Sequence, residues 1–243
     1  MKRGVYEIYK NCFDNRFCAG AMIQKKLTRN NIVLLICLLL IIFFYPILST
    51  QRLLMRDIIF TALILSGTYS LDFAKKTRRI LIFSGIITIV LVWLRHFFVN
   101  DALGLGLFLS FFSFNMFITV LMIRHIARSQ QVTLTIIISS INGYLLIGVL
   151  GAVLLAMTQL VQKLFFHVNT GSINFAGDAA EGFHDYLYFS FVTLSTLGYG
   201  DITPISALAK SLTIIIAISG QLYLTILIAM LVGKYLSNPE KRR

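Results

Sequence analysis

Charge is scarce in this sequence, and acidic charge scarcer still. Only 13% of the 243 residues are charged, with 10 Asp and Glu against 22 Lys and Arg, while 57% are hydrophobic. A soluble domain of this length needs far more polar surface to cover its core, so the class is integral membrane protein. Cysteine is nearly missing too. Cys12 and Cys18 stand in the polar N-terminal stretch and Cys37 in an apolar run. No second cysteine pair or nearby histidine completes a zinc pattern, and free thiols are expected. The four histidines, His96, His125, His167 and His184, are scattered, and no intramembrane pair of acids occurs, so an enzyme is not expected. A cleavable leader is also missing. Residues 1–30 are mixed and basic and no small-residue cleavage pattern follows the first apolar run, which is expected to remain as a membrane span.

What is present in quantity is apolar sequence long enough to cross a bilayer, which takes roughly 20 residues. Six such runs are expected as spans: 31–50, 53–74, 80–99, 102–123, 132–163 (long enough to project beyond the membrane) and 206–236. The basic residues cluster between them. The N-terminal stretch, the "KKTRR" connection at 75–79, Arg124 with Arg128, and Lys234 with the tail together hold 17 of the 22. The positive-inside rule then places both termini in the cytoplasm of a cell-membrane protein, which requires the even number of spans found. Basic clusters in such places meet anionic lipid headgroups rather than nucleic acid, so membrane lipids are the expected partners of the +12 net charge. The organisation expected is a cytoplasmic segment over 1–30, a four-helix peripheral domain over 31–128, a second domain over 132–236 and a short tail over 237–243.

Between the last two spans the pattern changes. Residues 167–182 are polar and rich in Gly, Asn and Ser, as an extracellular loop would be. The apolar run "FHDYLYFSFVTLST" follows, and its ~13 residues at ~1.5 Å each reach only about 20 Å, short of a ~30 Å core. It must dip in and return. A non-helical return inside a membrane is tolerated only where it is buried in protein or lines an aqueous cavity. That return is "TLSTLGYGD", residues 193–201. Gly198 and Gly200 can take positive φ at little cost, whereas Leu197 and Tyr199 cannot. Alternation of hand turns successive carbonyls to one side, making a line of oxygens from Thr196, Leu197, Gly198 and Tyr199, with the Thr196 hydroxyl added. Rows of carbonyls can replace the hydration shell of a monovalent cation, although one strand cannot surround an ion.

"TLGYGD" resembles the potassium-channel signature, and the wider run "YFSFVTLSTLGYGD" resembles the pores of two-pore-domain potassium channels and their prokaryotic one-pore relatives. The resemblance covers about 132–236, and reaches the whole chain only as the six-span plan of voltage-gated-like tetrameric cation channels. It implies an all-α membrane protein of six transmembrane helices plus a re-entrant pore helix and filter loop, forming a homotetrameric pore. It also implies K+ as the transported ion, with sites formed by Thr196, Leu197, Gly198 and Tyr199. Gly200 and Asp201 would close the outer mouth, with Ser195 in support, and residues 185–195 would form the pore helix. Two positions depart from the pattern. Leu197 replaces a usual Val or Ile, and Val192 stands where some bacterial pores carry a glutamate behind the filter.

In the last span, Gly220 lies 19 residues after Asp201, where related channels carry a hinge glycine. It serves either as that hinge or as a site of close packing. Leu224, Ile228 and Val232 follow on its face and either line a gate or meet lipid or another helix; Gln221 faces either the pore or a helix. Outside, Asp101, Asp178, Glu181, Asp185 and Asp201 could concentrate cations. The fourth span has no charge until Arg124, so weak or no voltage dependence is expected, with Asp72 pairing locally instead of receiving a moving arginine. Gating by a cytoplasmic ligand domain in this chain is not expected. Two alternatives stand beside a potassium channel: a non-selective cation channel, disfavoured by Tyr199, and a transporter, which would need a second broken segment.

Overall fold

The computed structural model describes residues 24–44, 53–70, 75–98, 101–129, 132–166, 172–175 and 182–236. Cys12, Cys18, Asp72, His167, Asp178, Glu181 and the tail lie outside these residues. Seven α-helices carry the fold: α1 (Gln24–Phe44), α2 (Leu53–Tyr69), α3 (Lys75–Phe97), α4 (Asp101–Arg128), α5 (Leu134–Val161, continued by a wide turn Gln162–Phe166), α6 (Phe183–Leu194) and α7 (Ala207–Leu236). Two short antiparallel strands, β1 (Ile173–Asn174) and β2 (Thr203–Pro204), pair beside α6.

These runs are helical despite much isoleucine because a span must satisfy every backbone polar group within itself. Three helices reach beyond the apolar runs, α1 and α3 at their starts and α4 at both ends. α3 starts at Lys75 instead of residue 80, and α4 continues to Arg128, because Lys and Arg are good helix formers whose long stems lie along apolar surface. Among the described residues five helices are long and apolar enough to cross a membrane: α1, α3, α4, α5 and α7. α2, at 17 residues, reaches only about 25 Å and is shorter than the expected run 53–74.

Side-chain bonds fix the up-and-down order. At one end, Asn30 Nδ2 donates to the Tyr69 carbonyl (2.8 Å), joining the start of α1 to the end of α2. Asn142 Nδ2 donates to Asn31 O (2.9 Å), joining α1 to α5. At the same end Lys234 Nζ donates to Ile126 O (2.8 Å) and Ala127 O (3.3 Å), so α7 supplies a cation to the carbonyl terminus of α4. At the other end Asp101 pairs with Lys163 (2.9 Å), tying the start of α4 to the end of α5. α4 thus runs beside α5 and is fastened to the second domain at both ends. Its inward face buries Phe111, Phe114, Ile118, Met122 and Ile126, whereas Arg124 and Arg128 are exposed. The outer face of α3 leaves Phe83 and Phe97 mostly uncovered, as lipid-facing positions are in a protein surrounded by hydrocarbon.

Candidate functional site

α6 has 12 residues, or about 18 Å, and cannot span a bilayer. Its start is held by Asp185, whose Oδ2 accepts the Gly182 N–H at 3.0 Å and which also pairs with His184 (3.1 Å). Phe183 lies against Phe60 of α2 and Phe108 of α4 (ring centroids 5.7 and 6.4 Å). The helix is seated in a groove on α5. A Cβ at Gly148 would overlap the Phe191 ring, and one at Gly151 would overlap the Ser190 hydroxyl. Ser190 Oγ donates to the Gly148 carbonyl at 2.7 Å, so a hydroxyl inside an apolar layer is satisfied by backbone.

The last turn of α6 organises the return loop. Val192 O accepts from Leu197 N (3.0 Å) and Gly198 N (3.4 Å), Thr193 O from Thr196 N (3.0 Å), and Phe191 O from Ser195 N (3.0 Å) and Ser195 Oγ (2.8 Å). Carbonyls at a helix C-terminus carry its negative dipole end, and here they anchor the loop beneath them. Beyond them the backbone alternates in hand. Thr196 has φ +58°, Gly198 +57° and Gly200 +82°, and Leu197 and Tyr199 between them stay at negative φ. Three left-handed residues spaced by two turn the intervening peptide units the same way, which is the geometry that lines up carbonyls. The glycines were legible as carriers of positive φ. Thr196 was not, because a β-branched residue avoids this region unless its surroundings impose it.

Two side-chain contacts brace the loop from opposite sides. Behind it, Tyr188 O–H donates to Asp201 Oδ2 at 2.6 Å, bridging the middle of α6 to the residue that ends the signature. That hydrogen bond holds the Asp201 carboxyl below the usual carboxylate range. At the inner end, Gln221 Nε2 of α7 donates to Thr196 Oγ1 at 3.2 Å. Gln221 reaches that far because α7 runs against the end of α6, where a Cβ at Gly220 would overlap the Leu194 carbonyl oxygen. The outer end is held by Ser172, whose carbonyl accepts Ile205 N (2.9 Å) and Ser206 N (3.1 Å) and whose N–H donates to Gln159 Oε1 (2.7 Å).

The structure therefore brings together Ser195, Thr196, Leu197, Gly198, Tyr199, Gly200 and Asp201 in one exposed strand, with Leu197 54% and Tyr199 67% exposed in the single chain. Gly220 sits against it, while Leu224 is half-buried and Ile228 and Val232 are exposed further along α7. Asp101 is neutralised by Lys163 and Asp185 is spent on the α6 cap. Of the described acids read as an outer cluster, Asp201 alone adjoins the loop. Tyr188 and the α5 groove went unread in the sequence, and Gln221 was read only as facing either the pore or a helix. The groove had a visible signal in "GVLG", two small residues one turn apart, whereas the two side-chain braces depend on pairs 13 and 25 residues apart.

Residues 132–237 match the family model of an ion channel. A stretch of 89 residues is 42% identical to two-pore potassium channel 4 of Arabidopsis thaliana, covering 35% of this chain and 31% of that protein. No solved structure matches the chain.

Proposed function

We propose that this chain, an all-α membrane channel protein whose ion-channel domain is residues 132–237, conducts K+ passively through the loop at 196–201. The observation that carries the reading is the alternation of left-handed Thr196, Gly198 and Gly200 with Leu197 and Tyr199, in a loop hung from a half-length helix. Carbonyls of Thr196, Leu197, Gly198 and Tyr199, with the Thr196 hydroxyl, supply oxygens only, the ligand type of hard monovalent cations. The match to a potassium channel from Arabidopsis supports K+ as that cation.

One strand gives one side of a cage, so four copies around a common axis are needed. Coverage supports this. The most apolar stretch of α5 is 50% buried within the chain, whereas that of α7 is only 11% buried, less than the 22% of lipid-facing α3. α7 and the loop are the parts a second copy and an aqueous pore would cover. In this assembly Asp201 gathers cations at the mouth. The exposed Ile228 and Val232 line the path at the far end of α7, where they can dewet it, with Leu224 behind them. Gly220 provides the close approach that seats α7 on α6, and bending at that point is the gating motion the fold permits. The basic clusters support a cell-membrane topology with both termini on the cytoplasmic side, facing anionic lipid.

The test is ion flux through purified protein in liposomes. Wild type is expected to pass K+ far faster than Na+. Gly198→Ala should abolish that preference, since alanine at φ +57° strains the loop although a Cβ there meets nothing within 4 Å. Equal Na+ and K+ flux in wild type overturns the reading.

A further inference from the structure

The Thr196 hydroxyl lies between two protein groups, and their chemistry fixes the direction of its proton. A hydroxyl has one proton and two acceptor lone pairs. The Ser195 carbonyl, 2.7 Å from Thr196 Oγ1, has no proton to give and must accept. The proton therefore points at Ser195. Gln221, 3.2 Å away through its amide nitrogen, can then only donate, and it occupies one lone pair. One lone pair remains. A hydroxyl that turned its proton toward a cation would repel it, and a freely rotating one would do so part of the time.

We propose that Gln221 is a positioning residue of the pore. By donating to Thr196 Oγ1 it locks the hydroxyl with its proton toward Ser195, leaving one lone pair for the innermost cation of the loop. The inference rests on reading residues 196–199 as a cation path. It adds that affinity at the inner end is set by an amide on α7, outside the signature. Because Gln221 follows Gly220, whose contact with the Leu194 carbonyl sets the distance between α7 and α6, any shift of α7 along α6 alters the hold on the hydroxyl. The amide is neutral, so it orients the site without adding a charge that would attract or repel ions by itself.

The experiment measures barium block from the Thr196 side in planar bilayers. Barium carries two charges at close to potassium's size and dwells where oxygens are best aligned. Gln221→Met keeps the side chain's length but has no N–H, and is expected to raise the half-blocking barium concentration about fivefold, the effect of one hydrogen bond. Gln221→Ser, too short to reach, serves the same purpose if the methionine variant does not assemble. Thr196→Val removes the hydroxyl, and adding Gln221→Met to it should change nothing further, since the two act through one oxygen. The cycle separates this from a general loosening of the loop, whose effect on block would persist when Gln221→Met is added to Thr196→Val. Unchanged block in Gln221→Met, or additive effects in the double variant, overturns the proposal. A wild type that fails to discriminate K+ from Na+ overturns the potassium reading instead, and the coupling seen in block still decides the role of Gln221.

Discussion

The peripheral helices and the pore half draw on the same stock of Leu, Ile and Phe, but they use glycine differently. In α4, a Cβ at Gly106 would meet nothing within 4 Å. Where peripheral glycines are tight, the neighbour is a side-chain methyl, Ile118 Cδ1 at 2.8 Å from a Cβ on Gly67 and Ile64 Cγ2 at 3.0 Å from one on Gly85. In the pore half the tight glycines of α5 meet the Tyr223 hydroxyl at Gly143, the Phe191 ring at Gly148 and the Ser190 hydroxyl at Gly151, and at Gly220 the neighbour is backbone, the Leu194 carbonyl oxygen. Among the described glycines of the peripheral bundle every close neighbour is a side-chain carbon. The pore half adds one contact to backbone and polar side chains satisfied by backbone across the helix contacts, as Tyr223 O–H on the Ser140 carbonyl (2.7 Å) shows. A fixed return loop needs a frame that cannot yield.

The largest expected effect breaks that frame. Gly220→Ala puts a methyl into the Leu194 carbonyl, and neither backbone can move without displacing the loop, a cost of about 1–3 kcal/mol per chain. Purified protein should show a clear loss of assembled channel on heating in detergent, and of K+ flux. Gly106→Ala should leave both unchanged, and Gly67→Ala should lie near wild type once Ile118 rotates. Equal sensitivity at Gly220 and Gly106 would erase the distinction between the two halves.

That distinction also explains what could be read from the sequence. Helices α3, α4, α5 and α7 were legible because a bilayer leaves an apolar run no other choice. The half-length of α6 and the glycines at 198 and 200 were legible from length and φ alone. Asp185 at the α6 cap and Asp101 on Lys163 looked like members of an outer acidic cluster, since sequence gives the charge but not its partner. Tyr188 was hidden, and the partner of Gln221 left open, for the same reason. Each acts on the loop from a different helix, and no periodicity within one element reports a bond between two.

A middle-sized effect sharpens the role of one such hidden bond. The Tyr188 hydroxyl keeps the Asp201 carboxyl below the usual carboxylate range. A carboxyl depressed in the fold keeps its charge, and the stability that goes with it, above its unfolded value. Both are lost as pH falls through the folded value. Flux measured with symmetrical K+ should therefore stay level from neutral pH into mild acid and fall only below the ordinary carboxylate range. Tyr188→Phe should move that fall to higher pH, while Asp201→Asn should hold flux at the acid level of the wild type throughout and remove the fall. A phenylalanine variant with the wild-type profile would mean that the bond does not govern the charge at the mouth.

The smallest effect concerns α4, the peripheral helix that packs on α5. One charge moved through 100 mV is worth about 2.3 kcal/mol, so steep voltage gating requires several charges per chain inside the field. α4 carries Arg124 and Arg128, both exposed and within its last five residues, at the end that Lys234 fastens to α7. Its buried face is apolar from Phe111 to Met122 apart from Asn115 and Thr119. Such a helix, its apolar face buried and both ends tied to the half proposed to form the pore, is expected to act as a strut. Removing its two arginines should then leave the steepness of the conductance–voltage relation unchanged across ±150 mV, or roughly ±3.4 kcal/mol for each charge moved. Arg124→Gln with Arg128→Gln, recorded in planar bilayers, tests this. A steep wild-type relation that flattens in the double variant would show those arginines moving through the field, and α4 would then belong with the working half of the molecule.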